Sequence, residues 1–109
     1  MLSEKHVPLS SGNAESALPA LCRRFHVRRL DLFGSAASGQ FDPAGSDLDF
    51  LVEFDELSPA TYAENYFGLL DALESLYGRA VDLVTAPALA NPYFRARVEA
   101  ERRTLFRAA

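Results

Sequence analysis

Residues 32 to 54 read "LFGSAASGQFDPAGSDLDFLVEF". An apolar run ends at Gly34-Ser35, the chain passes through two more glycines, a proline and two more serines, and a second apolar run opens with Asp47 and Asp49. The composition of 34–46 is that of a loop with room for one helical turn. The runs on either side, "VRRLDLF" over 27–33 and "DLDFLVEF" over 47–54, have the β-branched, aromatic and leucine density of strands. The second is the puzzle, because a strand that looks buried begins with two carboxylates.

Outward from this stretch, the pattern alternates. Leu18, Leu21, Cys22 and Phe25 recur at three- and four-residue steps and predict a helix from Asn13 to His26, with Pro19 acceptable only in its first turn. Residues 1–12 are polar, with Pro8 and Gly12, and read as a loose arm ahead of a domain spanning 13–109. Pro59 opens a long helix to Tyr77, on which Tyr62, Tyr66, Leu69, Leu70, Leu73 and Leu76 keep a helical period, and Gly78 ends it. Those aromatics read as core. "RAVDLVT" is a third strand, Pro87 breaks the chain, and Asn91-Pro92 starts a last helix as N-cap and first residue. Phe94, Val98, Leu105 and Phe106 are its expected buried side. Short strands alternating with amphipathic helices imply an α/β layer with at least one sheet face covered by helices.

The chain of 109 residues is the size of one small domain, with 49% hydrophobic and 24% charged residues, a globular balance. One cysteine, Cys22, allows no internal disulfide, and the Cys spacings of zinc sites are absent, which favours an intracellular, cytoplasmic setting with Cys22 as a core residue. No apolar run is long enough for a signal peptide or a membrane span. A net charge of -4 argues against broad binding to nucleic-acid backbones. Arg95, Arg97, Arg102, Arg103 and Arg107 cluster near the end with Glu99 and Glu101. The four-residue spacings Arg95/Glu99, Arg97/Glu101 and Glu99/Arg103 suit a solvated helix face, the alternative being a patch for a partner or a nucleotide.

Residues two apart in a strand share a face, so Asp47 and Asp49 lie side by side, about 6.5 to 7 Å apart along the strand, while Leu48, Phe50 and Val52 face the core. Two ionised carboxylates so close repel, and burying part of them is unfavourable unless a cation compensates. Oxygen ligands without His or Cys select Mg²⁺ or Mn²⁺ over zinc, and Mg²⁺ combines one or two carboxylates with the phosphates of its substrate. Gly34-Ser35, at a strand end, offers close backbone approach, a hydroxyl and free N–H groups to such phosphates. Asp82, inside "AVDLV", adds a third acid in an apolar strand. Three strand-borne carboxylates can hold two ions about 3.5 to 4 Å apart, which is phosphoryl or nucleotidyl transfer chemistry. Rival motifs fail. Gln40 and Phe41 stand where a P-loop needs Lys and Ser or Thr, Ala36 stands where a nucleophile elbow needs Ser, and "DPAGSDLDF" lacks EF-hand spacing. Asp31 reads as an edge or capping carboxylate, and His6 and His26 as surface or helix-end residues.

Gly34-Ser35, an eleven-residue gap, Asp47-Leu48-Asp49 and "FLVEF" resemble the signature of the minimal nucleotidyltransferases, small members of the DNA polymerase β-like superfamily. The resemblance continues through "GRAVDLV" and "NPYFRARVEAERRTLF" and covers nearly everything after residue 20. It implies a small mixed β-sheet with helices packed on it, in the palm-like nucleotidyltransferase fold. It also implies that Gly34, Ser35 and Ser46 contact the nucleotide and that Asp47, Asp49 and Asp82 ligate Mg²⁺ and act in catalysis. Such proteins are commonly encoded beside a helical HEPN-domain toxin that they neutralise, in some systems by moving AMP from ATP to a toxin tyrosine. Two departures stand out: the gap is one residue longer than usual, and Ser38 takes the place of a frequent arginine.

The expected function is therefore an Mg²⁺-dependent nucleotidyltransferase, with Mn²⁺ as a substitute, moving AMP from ATP to a hydroxyl of a partner such as a HEPN-type toxin. In this reading Asp82, or solvent held by the ions, takes the acceptor's proton. The alternative is an antitoxin that acts by binding alone and keeps the fold as a scaffold. Loss of the arginine favours the alternative; retention of all three acids favours the enzyme. The oligomeric state is left open by either reading.

Overall fold

The computed structural model describes residues 12–34, 37 and 47–108. Helix α1 covers Gly12–Arg24, strand β1 Val27–Phe33, strand β2 Leu48–Phe54 and helix α2 Pro59–Tyr77. Strand β3 (Val81–Thr85), a 3-10 turn over Ala86–Ala90, helix α3 (Pro92–Glu101) and strand β4 (Arg103–Arg107) complete the chain. The strands form one mixed sheet in the order β3-β2-β1-β4, antiparallel except for the β2/β3 pair. Parallel neighbours need a crossover, and α2 is that crossover.

Local chemistry explains the boundaries of α2 and α3. Ser58 caps α2 by accepting from the Thr61 N–H, and Gly78 closes it in the left-handed region at φ 69, donating its N–H to the Glu74 carbonyl at 2.8 Å. Asn91 Oδ1 accepts from the N–H groups of Tyr93 and Phe94 at 2.9 and 3.1 Å, with Pro92 at the first helical position. These termini agree with the expectations from sequence. His26, beyond the end of α1, turns the chain at φ 62 and its ring contacts Asn65.

Strand alternation sorts the sheet into two faces. Leu30, Leu32, Leu48, Phe50 and Val52 are buried against Leu18 and Cys22 of α1 and Leu69, Leu73 and Tyr77 of α2. Phe33 and Leu51 point to the opposite face and pack with Val98 of α3. Tyr66 Oη donates to the Leu83 carbonyl at 2.6 Å, and Tyr62, Tyr66 and Tyr77 pack on the core, so these three aromatics of α2 are structural. Burial pushes the Cys22 thiol up to about 12, against a weaker pull from Arg23, and leaves it an inert core group.

The structure corrects four expectations. Pro19 lies in the interior of α1 rather than in its first turn. The proline forfeits one backbone hydrogen bond there, while Leu18 and Cys22 beside it are buried in the core. The last helix stops at Glu101, and Leu105 and Phe106 belong to β4, where Phe106 pairs with Leu30 and the residues pack on the main core. With the helix cut short, Glu99 meets Arg102 at 3.5 Å instead of Arg103, whereas Arg97 and Glu101 do pair, at 3.3 Å. Asp31 is neither an edge nor a capping carboxylate but is completely buried in β1, between β2 and β4. The expected arm over 1–12 lies outside the described residues except for Gly12, which opens α1. So does the expected helical turn after Gly34, apart from Ala37, whose N–H donates to the Gly34 carbonyl at 3.1 Å.

Candidate active site

Sheet register brings two of the three predicted acids together. Asp49 of β2 is paired directly with Asp82 of β3, two strands lying about 4.8 Å apart. On its other side Asp49 is paired with Phe33, the last residue of β1, and Gly34 follows at once. Asp47 is exposed at the mouth of β2, Asp49 is half-buried and Asp82 is exposed. All three stand at the end of the sheet where β1 finishes and where β2 and β3 begin.

Gly34 is required by this arrangement on two counts. Its φ of 77 belongs to the left-handed region, and a Cβ there would run into Asp49 Oδ2. The missing side chain leaves the Asp49 carboxylate open at the place where the backbone turns over it. The Gly34 N–H donates to Glu101 Oε1 at 2.9 Å, so an anion sits on the amide expected to meet phosphate. Ser35 and Ser46, the other expected nucleotide contacts, and Ser38 lie outside the described residues.

The electrostatics fit a site for a cation. Burial raises the Asp49 carboxyl above its usual range, the negative charge of Asp82 raises it further, and Asp47 and Glu101 add to this while Arg97 opposes them. Among the described residues no three or more His, Cys, Asp or Glu side chains close into a metal cage. The donors of Asp47, Asp49 and Asp82 are all oxygens, placed around a carboxylate that a glycine leaves uncovered. That set suits Mg²⁺ or Mn²⁺ whose coordination is completed by substrate oxygens rather than by protein.

Three residues around the site escaped attention as site residues in the sequence. Arg97 and Glu101 read from the sequence as a solvated helix pair, with a partner or nucleotide patch as the alternative for the arginine cluster; in the structure Glu101 reaches Gly34 and the Arg97 guanidinium lies 5.8 Å from the centre of the Phe33 ring. Arg102 anchors the end of α3. Its Nε donates to Asp31 Oδ2 at 3.1 Å, and Arg29 Nε donates to Asp31 Oδ1 at 3.1 Å. Burial alone would raise the Asp31 carboxyl, but hydrogen bonds from Thr104, Arg102 and Arg29 outweigh it and hold Asp31 below the usual range. Asp31 thus shares the face of Asp49 but is fully engaged in holding β1, α3 and β4 together. The surface hollow lined by Phe67, Gly68, Leu70, Asp71 and Glu74 includes none of these residues.

The nucleotidyltransferase domain model matches residues 14–105. A protein of Methanocaldococcus jannaschii provisionally named a protein adenylyltransferase is 38% identical over 76 residues, which is 70% of this chain and 74% of that protein. A second protein of that organism with the same provisional description is 37% identical over 79 residues, covering 72% of this chain and 76% of the relative. Among solved structures, one described as a minimal nucleotidyltransferase superposes with a TM-score of 0.71 at 33% identity, covering 94% of this chain and 98% of that one. A toxin-antitoxin crystallised with AMP-PNP gives a TM-score of 0.60 at 26% identity, covering 86% and 73%.

Proposed function

This chain belongs to the nucleotidyltransferase domain family and is a nucleotidyltransferase, and we propose that it moves AMP from ATP to a hydroxyl of a partner protein, as the antitoxin of a pair whose toxin is of the HEPN type. The observation that carries this reading is the placement of Asp49 in register with Asp82 and directly beneath the uncovered turn at Gly34. The provisional name of the relatives supports a protein acceptor. The toxin-antitoxin neighbour with its ATP analogue supports both the nucleotide and the partner.

Asp47, Asp49 and Asp82 would hold Mg²⁺, which supplies charge neutralisation for the triphosphate. The Gly34 N–H, with Ser35 and Ser46, binds phosphate oxygens and fixes the nucleotide over β2. Asp82 is exposed at the start of β3, open to an incoming acceptor, and takes the proton of the acceptor hydroxyl. The hydroxyl oxygen forms a bond to the α-phosphorus as the bond to the bridging oxygen breaks, and pyrophosphate leaves with that electron pair. Partner docking, rather than a separate acceptor domain within these residues, selects the hydroxyl.

The test is intact-mass analysis of the co-expressed partner after incubation with ATP and Mg²⁺, beside growth rescue in cells carrying that partner. The expected result is addition of AMP by wild type and a loss of at least about a hundredfold in Asp82→Asn, the lower range for removing a positioned acid–base group. Full rescue by an Asp82→Asn protein that adds no AMP would overturn enzymatic neutralisation and favour inhibition by binding alone.

A further inference from the structure

One carboxylate oxygen at this site has two partners of different kinds. Glu101 Oε1 accepts the Gly34 N–H at 2.9 Å and pairs with Arg97 Nε at 3.3 Å. A backbone amide at a left-handed glycine and a guanidinium converging on one anionic oxygen make the donor pair that a phosphate oxygen would find. Glu101 approaches from the last turn of α3, and its side chain is only partly covered, so it can leave without disturbing the core. Arg97 lies one turn earlier on the same helix with its guanidinium over the Phe33 ring, close to where Gly34 turns.

The chain has a reason to recruit a cation from α3. From Ser35 to Ser46 it carries neither Lys nor Arg, so the segment joining Gly34 to Asp47 brings no side-chain positive charge to a triphosphate. Glu101 adds negative charge in a place already crowded by Asp47, Asp49 and Asp82. Left in place, it would repel the substrate; swung away, it frees both donors at once.

We propose that Arg97 is a phosphate-binding residue of the transfer site and that Glu101 is its resident counter-anion, displaced when a nucleoside triphosphate enters. The inference rests on the reading of Gly34 as a nucleotide contact and adds to it the helix α3 pair. Glu101 keeps the unliganded amide and guanidinium satisfied, and Arg97 changes partner from carboxylate to phosphate.

Calorimetric titration of ATP with Mg²⁺ into wild type, Arg97→Gln, Arg97→Lys and Glu101→Gln tests it, with thermal melts of each protein as the check on folding. The expected result is binding weakened about ten- to hundredfold by Arg97→Gln, the scale of a charge-assisted hydrogen bond. Arg97→Lys keeps part of the affinity, and Glu101→Gln binds several-fold tighter, roughly in line with removal of a repelling charge. Binding by Arg97→Gln should also fall less steeply with added salt than binding by wild type. Wild-type-like affinity in Arg97→Gln, or weaker binding in Glu101→Gln, overturns the inference while leaving the nucleotide reading intact. Loss of binding in Arg97→Gln together with a lowered melting temperature makes the arginine structural and overturns it too. Absence of ATP binding in wild type overturns the nucleotide reading itself, and this inference with it.

Discussion

Replacing Asp31 by Asn should destabilise the protein strongly, although it keeps the size and shape of the side chain. The Asp31 side chain is 1% exposed, and Arg102 donates Nε and Nη2 to its Oδ2 while Arg29 donates Nε to its Oδ1. Asparagine offers only one oxygen. Arg29 Nε also lies 3.0 Å from Oδ2, so an amide with its oxygen there still accepts from both guanidiniums but turns its NH₂ toward the Arg29 Nε–H; turned the other way, the NH₂ faces Arg102, which loses its acceptor. Breaking a buried ion pair by removing one charge costs about 3 to 5 kcal/mol. Arg102 and Arg29 side chains are 18% and 24% exposed and recover some hydration, which lowers the expectation to about 2 to 4 kcal/mol. With a urea dependence of about 1 to 3 kcal/mol per molar, the unfolding midpoint should fall by roughly 0.7 to 4 M. The exposed Arg28–Glu53 pair, at 3.6 Å, is the control, and Glu53→Gln should change stability by less than about 1 kcal/mol. The pH dependence has a definite sign. Because the folded carboxyl lies below its usual range, the unfolded chain takes up this proton first as pH falls. The stabilisation by Asp31 is complete above the usual carboxylate range and is lost only as pH falls through the depressed folded value. The gap between wild type and Asp31→Asn should therefore be constant near neutrality and close in acid. A mutant no less stable than the Glu53→Gln control, or a gap that closes near neutral pH, would refute the role assigned to Asp31.

Gly34→Ala should be poorly tolerated, losing at least about 1 kcal/mol of stability from the left-handed backbone alone and more from collision with Asp49, as read by urea denaturation. An alanine variant with wild-type stability would contradict the close approach. Asp47→Asn combined with Asp49→Asn should leave the metal-free protein as stable as wild type or more so, since burial and neighbouring acids both disfavour the Asp49 charge, while AMP transfer disappears. Unfolding of the double mutant in thermal melts would instead make the pair structural.

Much of this protein was legible one segment at a time. The spans of β1 and α2, the Pro59 and Asn91–Pro92 starts and the glycine stop at Gly78 follow from side-chain sterics, periodicity and capping, which act within a few residues. The outward face of Asp49 and the acid in β3 were likewise readable from alternation, whereas Asp47, expected on the same strand face, stands just ahead of β2. The features that sequence alone left undetermined depend on partners distant in the chain. Residues 94 to 106 carry apolar spacings compatible with a helix throughout. Only the edge of β1, with Leu30 awaiting Phe106 and Asp31 awaiting Arg102, ends that helix at Glu101 and turns Arg103–Arg107 into a strand. The register that sets Asp49 beside Asp82 is a property of strand pairing, and an isolated strand has none. By the same physics Asp31 is an ordinary acid in its local context and a buried clamp in three dimensions. Arg97 and Glu101 pass from a surface ion pair to the wall of the candidate site because tertiary packing places α3 over the end of β1, where Glu101 meets the bare amide of Gly34.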